Sequence, residues 1–165
     1  MTEILIDGCR MDAGQAVLLE GLGTALRQRH ADWRLTVALS KANALPLSLD
    51  GRIASFYIPH ARELFWPRLA RGFDLFVSLD ARLPLLPMPC PMVHAVRDVS
   101  SPGRLRLRRA LTAARLTWFD SERARQRCEA LVGQVLPGGG VRPPEGDDAA
   151  WDDRLRDLEA IVGVH

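Results

Sequence analysis

Five residues combine the types and the surroundings needed for chemistry: Arg10, Gly14, Arg97, Asp98 and Ser121. The adjacent pair Arg97-Asp98 sets a carboxylate beside a guanidinium. Such a carboxylate can orient or deprotonate a hydroxyl, while arginine holds a phosphate or carboxylate. Arg10 offers a second anion-binding cation. Gly14 suits either close approach of an anion to backbone or a turn that needs a positive φ. Ser121, after Asp120, is either a polar contact or a helix N-cap. The plain alternative for Arg97-Asp98 is an exposed ion pair, or a capping carboxylate ahead of Pro102. These residues matter together because each follows an apolar run at the carboxyl end of a predicted strand. Open α/β sheets bind their ligands there.

Several chemistries are set aside. The glycines Gly8 and Gly14 form neither the dinucleotide pattern nor a P-loop. His30 ends a helical pattern, His60 follows Pro59, His94 lies within a predicted strand and His165 is terminal, so zinc and Ser-His-Asp arrangements are not expected. Cys9, Cys90 and Cys128 are odd in number and far apart, which fits buried thiols in a reducing compartment. No cofactor is called for. At 165 residues with 47% apolar and 25% charged content, the chain fits one soluble domain with a genuine core. A net charge of +2 does not point to nucleic acid. The sequence shows neither a basic n-region nor an apolar run of membrane-spanning length, so a cytoplasmic protein is expected.

The positioning elements follow from periodicity. Ile4-Leu-Ile is a short apolar strand, Asp7 to Gln15 a loop, and Ala16 to His30 a helix with Leu18, Leu22, Ala25 and Leu26 on one face. Trp33 to Leu39 and Ile53 to Ile58 read as strands. Ala61 to Arg71 reads as a helix, kinked near Pro67 and stopped by Gly72. Phe73 to Leu79 is a nearly continuous apolar strand of the buried parallel kind. Pro84, Pro87, Pro89 and Pro91 make the next stretch stiff and extended. Met92 to Val96 and Leu116 to Phe119 are further short strands. Gly103 to Ala114 carries Arg104, Arg106, Arg108 and Arg109, either a solvated face or an anion-binding one. A helix starts after Asp120-Ser121, Val135-Leu136 is a candidate last strand, and Trp151, Leu155, Leu158 and Ile161 repeat at helical spacing. The result is an α/β fold: an open, mostly parallel Rossmann-like sheet with helices on both faces, in a single domain. The expected division is a domain over 1–136, a Gly/Pro-rich linker over 137–146 and a trailing helix over 147–165.

This succession resembles the N-terminal, acceptor-side domain of GT-B fold glycosyltransferases, in particular the family-4-like group. Ile4-Leu-Ile-Asp-Gly stands at its first strand and Met11-Asp-Ala-Gly-Gln at its glycine loop. Phe73-Asp-Leu-Phe-Val-Ser is similar to the strand before a proline-rich segment. Met92-Val-His-Ala-Val-Arg-Asp-Val is similar to a strand ending in a His-Asp pair, with Arg97 in the histidine's place and Asp98 matching. The stretch Arg108 to Arg125 resembles the helix, strand and Ser-Glu-started helix that follow, and Val135-Leu-Pro-Gly-Gly-Gly-Val the entry to a second domain. The glycine loop is reduced to Gly14. The family's second Rossmann domain, with its two glutamates separated by seven intervening residues, has no counterpart here. The trailing helix is either the linker into that domain or the last helix that crosses back onto the first.

The resemblance implies the acceptor-side half of a nucleotide-sugar-dependent glycosyltransferase, which transfers a glycosyl group to a hydroxyl acceptor. Asp98 would be catalytic; Arg10, Gly14, Arg97 and Ser121 would bind substrate. The nucleotide-sugar donor would sit mainly on a second domain or partner chain, without which the half is inactive. A homodimer and a weak contact of Arg104 to Arg109 with anionic membrane are further expectations; nucleic acid is not. The rival is a degenerate, non-catalytic binding or scaffold module. A flavodoxin-like or regulatory domain fits less well, because the acidic cluster of a phospho-acceptor is missing.

Overall fold

The computed structural model describes residues 1–9, 13–39, 53–57, 64–79, 84, 86–96, 104–141 and 148–163. Among the described residues, seven strands form one sheet: β1 (Glu3–Asp7), β2 (Arg34–Leu39), β3 (Ile53–Tyr57), β4 (Leu75–Ser78), β5 (Met92–Val96), β6 (Leu116–Phe119) and β7 (Gly138–Val141). They pair in the order β3-β2-β1-β4-β5-β6-β7, all parallel. The α/β Rossmann-like architecture expected from the sequence is therefore the one observed. β1 and β4 are both central although not consecutive, so the chain reverses its direction of travel between them. That reversal opens a crevice at their carboxyl ends.

Parallel strands need both faces covered. On one face, Ile4, Ile6, Val37, Val77, Val93 and Trp118 pack under α1 (Ala13–Arg29) and α5 (Asp148–Val162). On the other, Leu5, Ala38, Phe76 and Met92 meet α2 (Trp66–Leu69) and α3 (Arg104–Ala113). Toward the β7 edge, Val96, Phe119 and Leu111 pack with Cys128 and Val132 of α4 (Glu122–Val132). Leu22, Ala25 and Leu26 lie buried on the face the helical period assigns them.

Some boundaries differ from the sequence expectation, each for a physical reason. α1 starts at Ala13, so Gly14 occupies its first turn and not a positive-φ loop. Pro67 does not kink a longer helix. It sits in the first turn of α2, where its missing N–H costs no hydrogen bond, and the N–H groups of Arg68 and Leu69 donate to the Phe65 carbonyl. Residues 61–63 lie outside the described residues. Gly72, at φ +93°, does turn the chain after α2 toward β4.

The stretch expected as linker contributes a strand. Gly138 and Gly139 pair with Thr117 and Trp118, and after a bulge Val141 pairs with Phe119. Glycines carry no side-chain alternation, so this strand exists through its backbone ladder alone. Leu136, expected within a last strand, is instead a buried plug just before it.

α5 lies back over α1 and the sheet, as in the second of the two readings of the trailing helix. Leu155 and Leu158 enter the core. The Trp151 indole rests on Gly21, where an added Cβ would stand 2.4 Å from its Cζ2. The buried Arg154 guanidinium lies 5.2 Å over the Trp118 ring, whose N–H donates to Asp157 at 3.3 Å. At the far end Glu159 accepts from Arg29 Nε at 2.8 Å and contacts His30 Nε2 at 2.6 Å, the imidazole being stacked on Trp33.

Gly21→Ala therefore loses stability by about 1 kcal/mol, because a clash of about 1–3 kcal/mol exceeds the helix-propensity gain. In a Trp151→Ala background the same change becomes stabilising; urea melts of the four proteins read the reversal. Burial pushes the Glu159 carboxyl up, but the hydrogen bonds from His30 and Arg29 outweigh it and hold it below its usual 4.5. Its contribution is thus complete above that value and lost as pH falls through the lowered one. Glu159→Gln removes up to about 1 kcal/mol at pH 7 and flattens the acid limb of a stability-versus-pH curve.

Candidate functional site

The crevice floor is built where β1 ends. Asp7 is buried, and its Oδ1 accepts from the Cys9 N–H at 3.0 Å, turning the chain off the strand. On the β2 side the Gly8 N–H donates to the Ala38 carbonyl at 3.0 Å, and the Cys9 thiol donates to the same oxygen at 3.4 Å. On the β4 side the Leu79 N–H donates to the Asp7 carbonyl at 3.4 Å, and the Gln15 amide donates to the Leu79 carbonyl. The loop is therefore strapped to both neighbours, with the start of α1 held against the end of β4. No acidic residue occupies the first turn of α1. Its positive end is left toward the crevice, where an anion suits it.

Behind Asp7 runs a row of buried polar side chains that the sequence reading did not single out. Asp7 is in register with Ser78, Ser78 with His94, and His94 with Thr117. In parallel pairing, register partners point to one face of the sheet. All four are at most 1% exposed, on the face where Leu5, Phe76, Met92 and Phe119 are apolar. Burying polar groups in this way costs free energy unless each is hydrogen-bonded. No single strand signals the row. It appears only once the register sets one polar residue from each strand side by side.

The sequence candidates are placed unevenly. Gly14 lies at the crevice end of α1, half-buried. Ser121 is the N-cap of α4, its Oγ accepting from the Ala124 N–H at 3.1 Å, while the Asp120 N–H donates to Val96 at 3.1 Å across the strand ends. Arg10, Arg97 and Asp98 lie outside the described residues. Cys9 is fully buried. Burial, with help from the Asp74 charge, pushes the Cys90 thiol up to about 11, and burial beside Glu129 does the same to Cys128. Neither is an activated nucleophile. Among the described residues no three His, Cys, Asp or Glu side chains converge as metal ligands.

With this geometry in place, solved structures give two close parallels. A sucrose-phosphate synthase structure from Thermosynechococcus elongatus superposes at TM-score 0.57 with 15% identity, over 95% of this chain and 97% of that one. Anabaena HepE in complex with UDP and glucose superposes at TM-score 0.58 with 16% identity, over 85% of this chain. The chain shares its fold with these glycosyltransferase structures. It spans 44% of HepE, less than half. No family model matches the chain, and no curated protein does. What the chain shares with these structures is the Rossmann-like parallel fold, and no described helix is long and apolar enough to cross a membrane.

Proposed function

We propose that this chain is the acceptor-side half of a nucleotide-sugar-dependent glycosyltransferase of the family-4-like kind, inactive without a donor-binding domain. The observation that carries the reading is the match to HepE, whose structure holds UDP and glucose and of which this chain spans only 44%. The crevice beyond β1 and β4 is one wall of a cleft. The start of α1, poor in acidic residues, suits the negative side of a donor, and Asp7 lies at its floor. Asp98 takes the acceptor hydroxyl's proton or orients it, with Arg97 and Arg10 neutralising anionic groups and Gly14 and Ser121 lining the wall. The opposite wall, carrying most of the nucleotide contacts, comes from a further domain or a partner chain. The adjacent side chains Leu64 and Phe65 are both exposed and give apolar surface for such a domain or for a second copy.

A degenerate scaffold is the second reading, favoured by one observation: Gly14, the glycine left in the expected glycine loop, lies inside the first turn of α1. The two readings predict different outcomes. Calorimetry with UDP-glucose on the chain alone gives weak or no binding and no transfer; micromolar binding with turnover overturns the half-enzyme. In an assembly with a donor domain, Asp98→Ala lowers transfer by about a hundredfold or more, and Arg97→Ala raises KM. Unchanged rates for both variants leave the scaffold.

A further inference from the structure

The buried row on the α2 and α3 side of the sheet has a carboxylate, Asp7, at one end and an imidazole, His94, two strands away. The rest of that face is apolar. An ionised carboxylate is tolerated in such a place only with a compensating charge and hydrogen bonds. Asp7 Oδ1 accepts the Cys9 N–H at 3.0 Å, a bond that favours the ionised form. Among the described residues, Arg154 and His94 are the buried side chains able to carry positive charge. Arg154 lies over Trp118 on the opposite face, so His94 is the one on the Asp7 side. The other titratable groups of the cluster are thiols: Cys9, which donates to the Ala38 carbonyl, and Cys90, pushed up to about 11 and therefore neutral at pH 7. α2 and α3 set Trp66, Ala110 and Ala114 against it, none of them charged.

We propose that Asp7, Ser78 and His94 work as one buried relay that positions the β1 loop at the crevice: a carboxylate on Asp7, an imidazolium on His94 and the Ser78 hydroxyl bridging them. Adjacent strands lie about 4.8 Å apart, and Ser78 stands on the strand between the two ionisable groups. A hydroxyl both donates and accepts, so Ser78 takes a hydrogen bond from the ring and gives one to the carboxylate. An imidazolium has a second N–H, and Thr117 is the register partner on its other side. The Thr117 hydroxyl is fully buried and makes no hydrogen bond in the structure, so it is the acceptor at hand. Asp7 anchors the loop twice, through Oδ1 to Cys9 and through its carbonyl, which accepts the Leu79 N–H. Deprotonating His94 leaves that carboxylate buried without its counter-charge. The loop is therefore held most firmly while His94 is charged, and loosens as pH rises through the His94 titration. The relay serves whatever ligand the crevice takes, and so goes beyond the glycosyltransferase reading.

The test is nitrogen NMR of the histidine rings in the full, isotope-labelled chain, with His94→Gln used to identify the His94 signals. At pH 7 both His94 ring nitrogens are expected to carry protons. Asp7→Asn removes the counter-charge and moves the His94 titration down by about one pH unit or more, and Ser78→Ala moves it in the same direction. Hydrogen exchange gives a second readout: in His94→Gln the Cys9 amide exchanges about tenfold faster, while the Leu26 amide of α1 keeps its protection. A neutral His94 in the native chain at pH 7, a titration indifferent to Asp7→Asn, or an unchanged Cys9 amide in His94→Gln would each overturn the relay. The native ring measurement decides even where a variant fails to fold. None of these readouts needs transfer activity, so the relay stands or falls apart from the glycosyltransferase reading.

Discussion

The constraint on which this structure depends is that a parallel sheet cannot leave either face in water. β1 sits at the centre with every side chain from Ile4 to Asp7 buried, and its neighbours β2 and β4 are nearly as enclosed. α1 covers only part of one face. Val93 and Trp118, farther along the sheet, also lie on that face and need a second helix. α5 supplies it, with Leu155 and Leu158 in the core and Trp151 seated on Gly21. The close approach of α1 and α5 is possible only because residue 21 lacks a Cβ. The last helix is thus as much a part of the domain as the first, although it comes from the far end of the chain.

The crevice is a by-product of the same arrangement. Strand order reverses between β1 and β4, so the connections leave in opposite directions, the arrangement that opens a crevice at the carboxyl ends of such sheets. Hydrogen bonds from Gly8, Cys9, Leu79 and Gln15 then fix the β1 loop against both neighbouring strands. The end of β1, held in this way beside the start of α1, is a suitable place for a ligand.

What the sequence made legible follows from where side chains carry the information. β5 and β6 were readable to the residue, since Met92 to Val96 and Leu116 to Phe119 are compact apolar runs between breakers. The start of α4 was readable from Asp120-Ser121, and Ser121 proves to be its cap. β7 was not, because Gly138 to Gly140 have no side chains to alternate and gain strand identity only from pairing with β6. The docking of α5 was open for a similar reason. Its apolar period says that it buries one face but not against what, and the partner, Gly21, is silent in any pattern of hydrophobicity. Arg154 would have been assigned to solvent from its type alone, yet it is buried against Trp118.

The row Asp7, Ser78, His94 and Thr117 shows the same limit at the candidate site. Along each strand these residues look like single polar interruptions in apolar runs, and His94 gave no motif. Side by side on four adjacent strands they make a polar seam through an apolar face, starting at the crevice floor. Local spacing nominates residues that neighbour one another in a single loop, such as Arg97 and Asp98. It does not find residues that meet through register, because the order of strands in the sheet is not their order in the chain. For this fold, the polar residue at the carboxyl end of the first strand, Asp7, deserves the weight that spacing alone assigns to the loops after it.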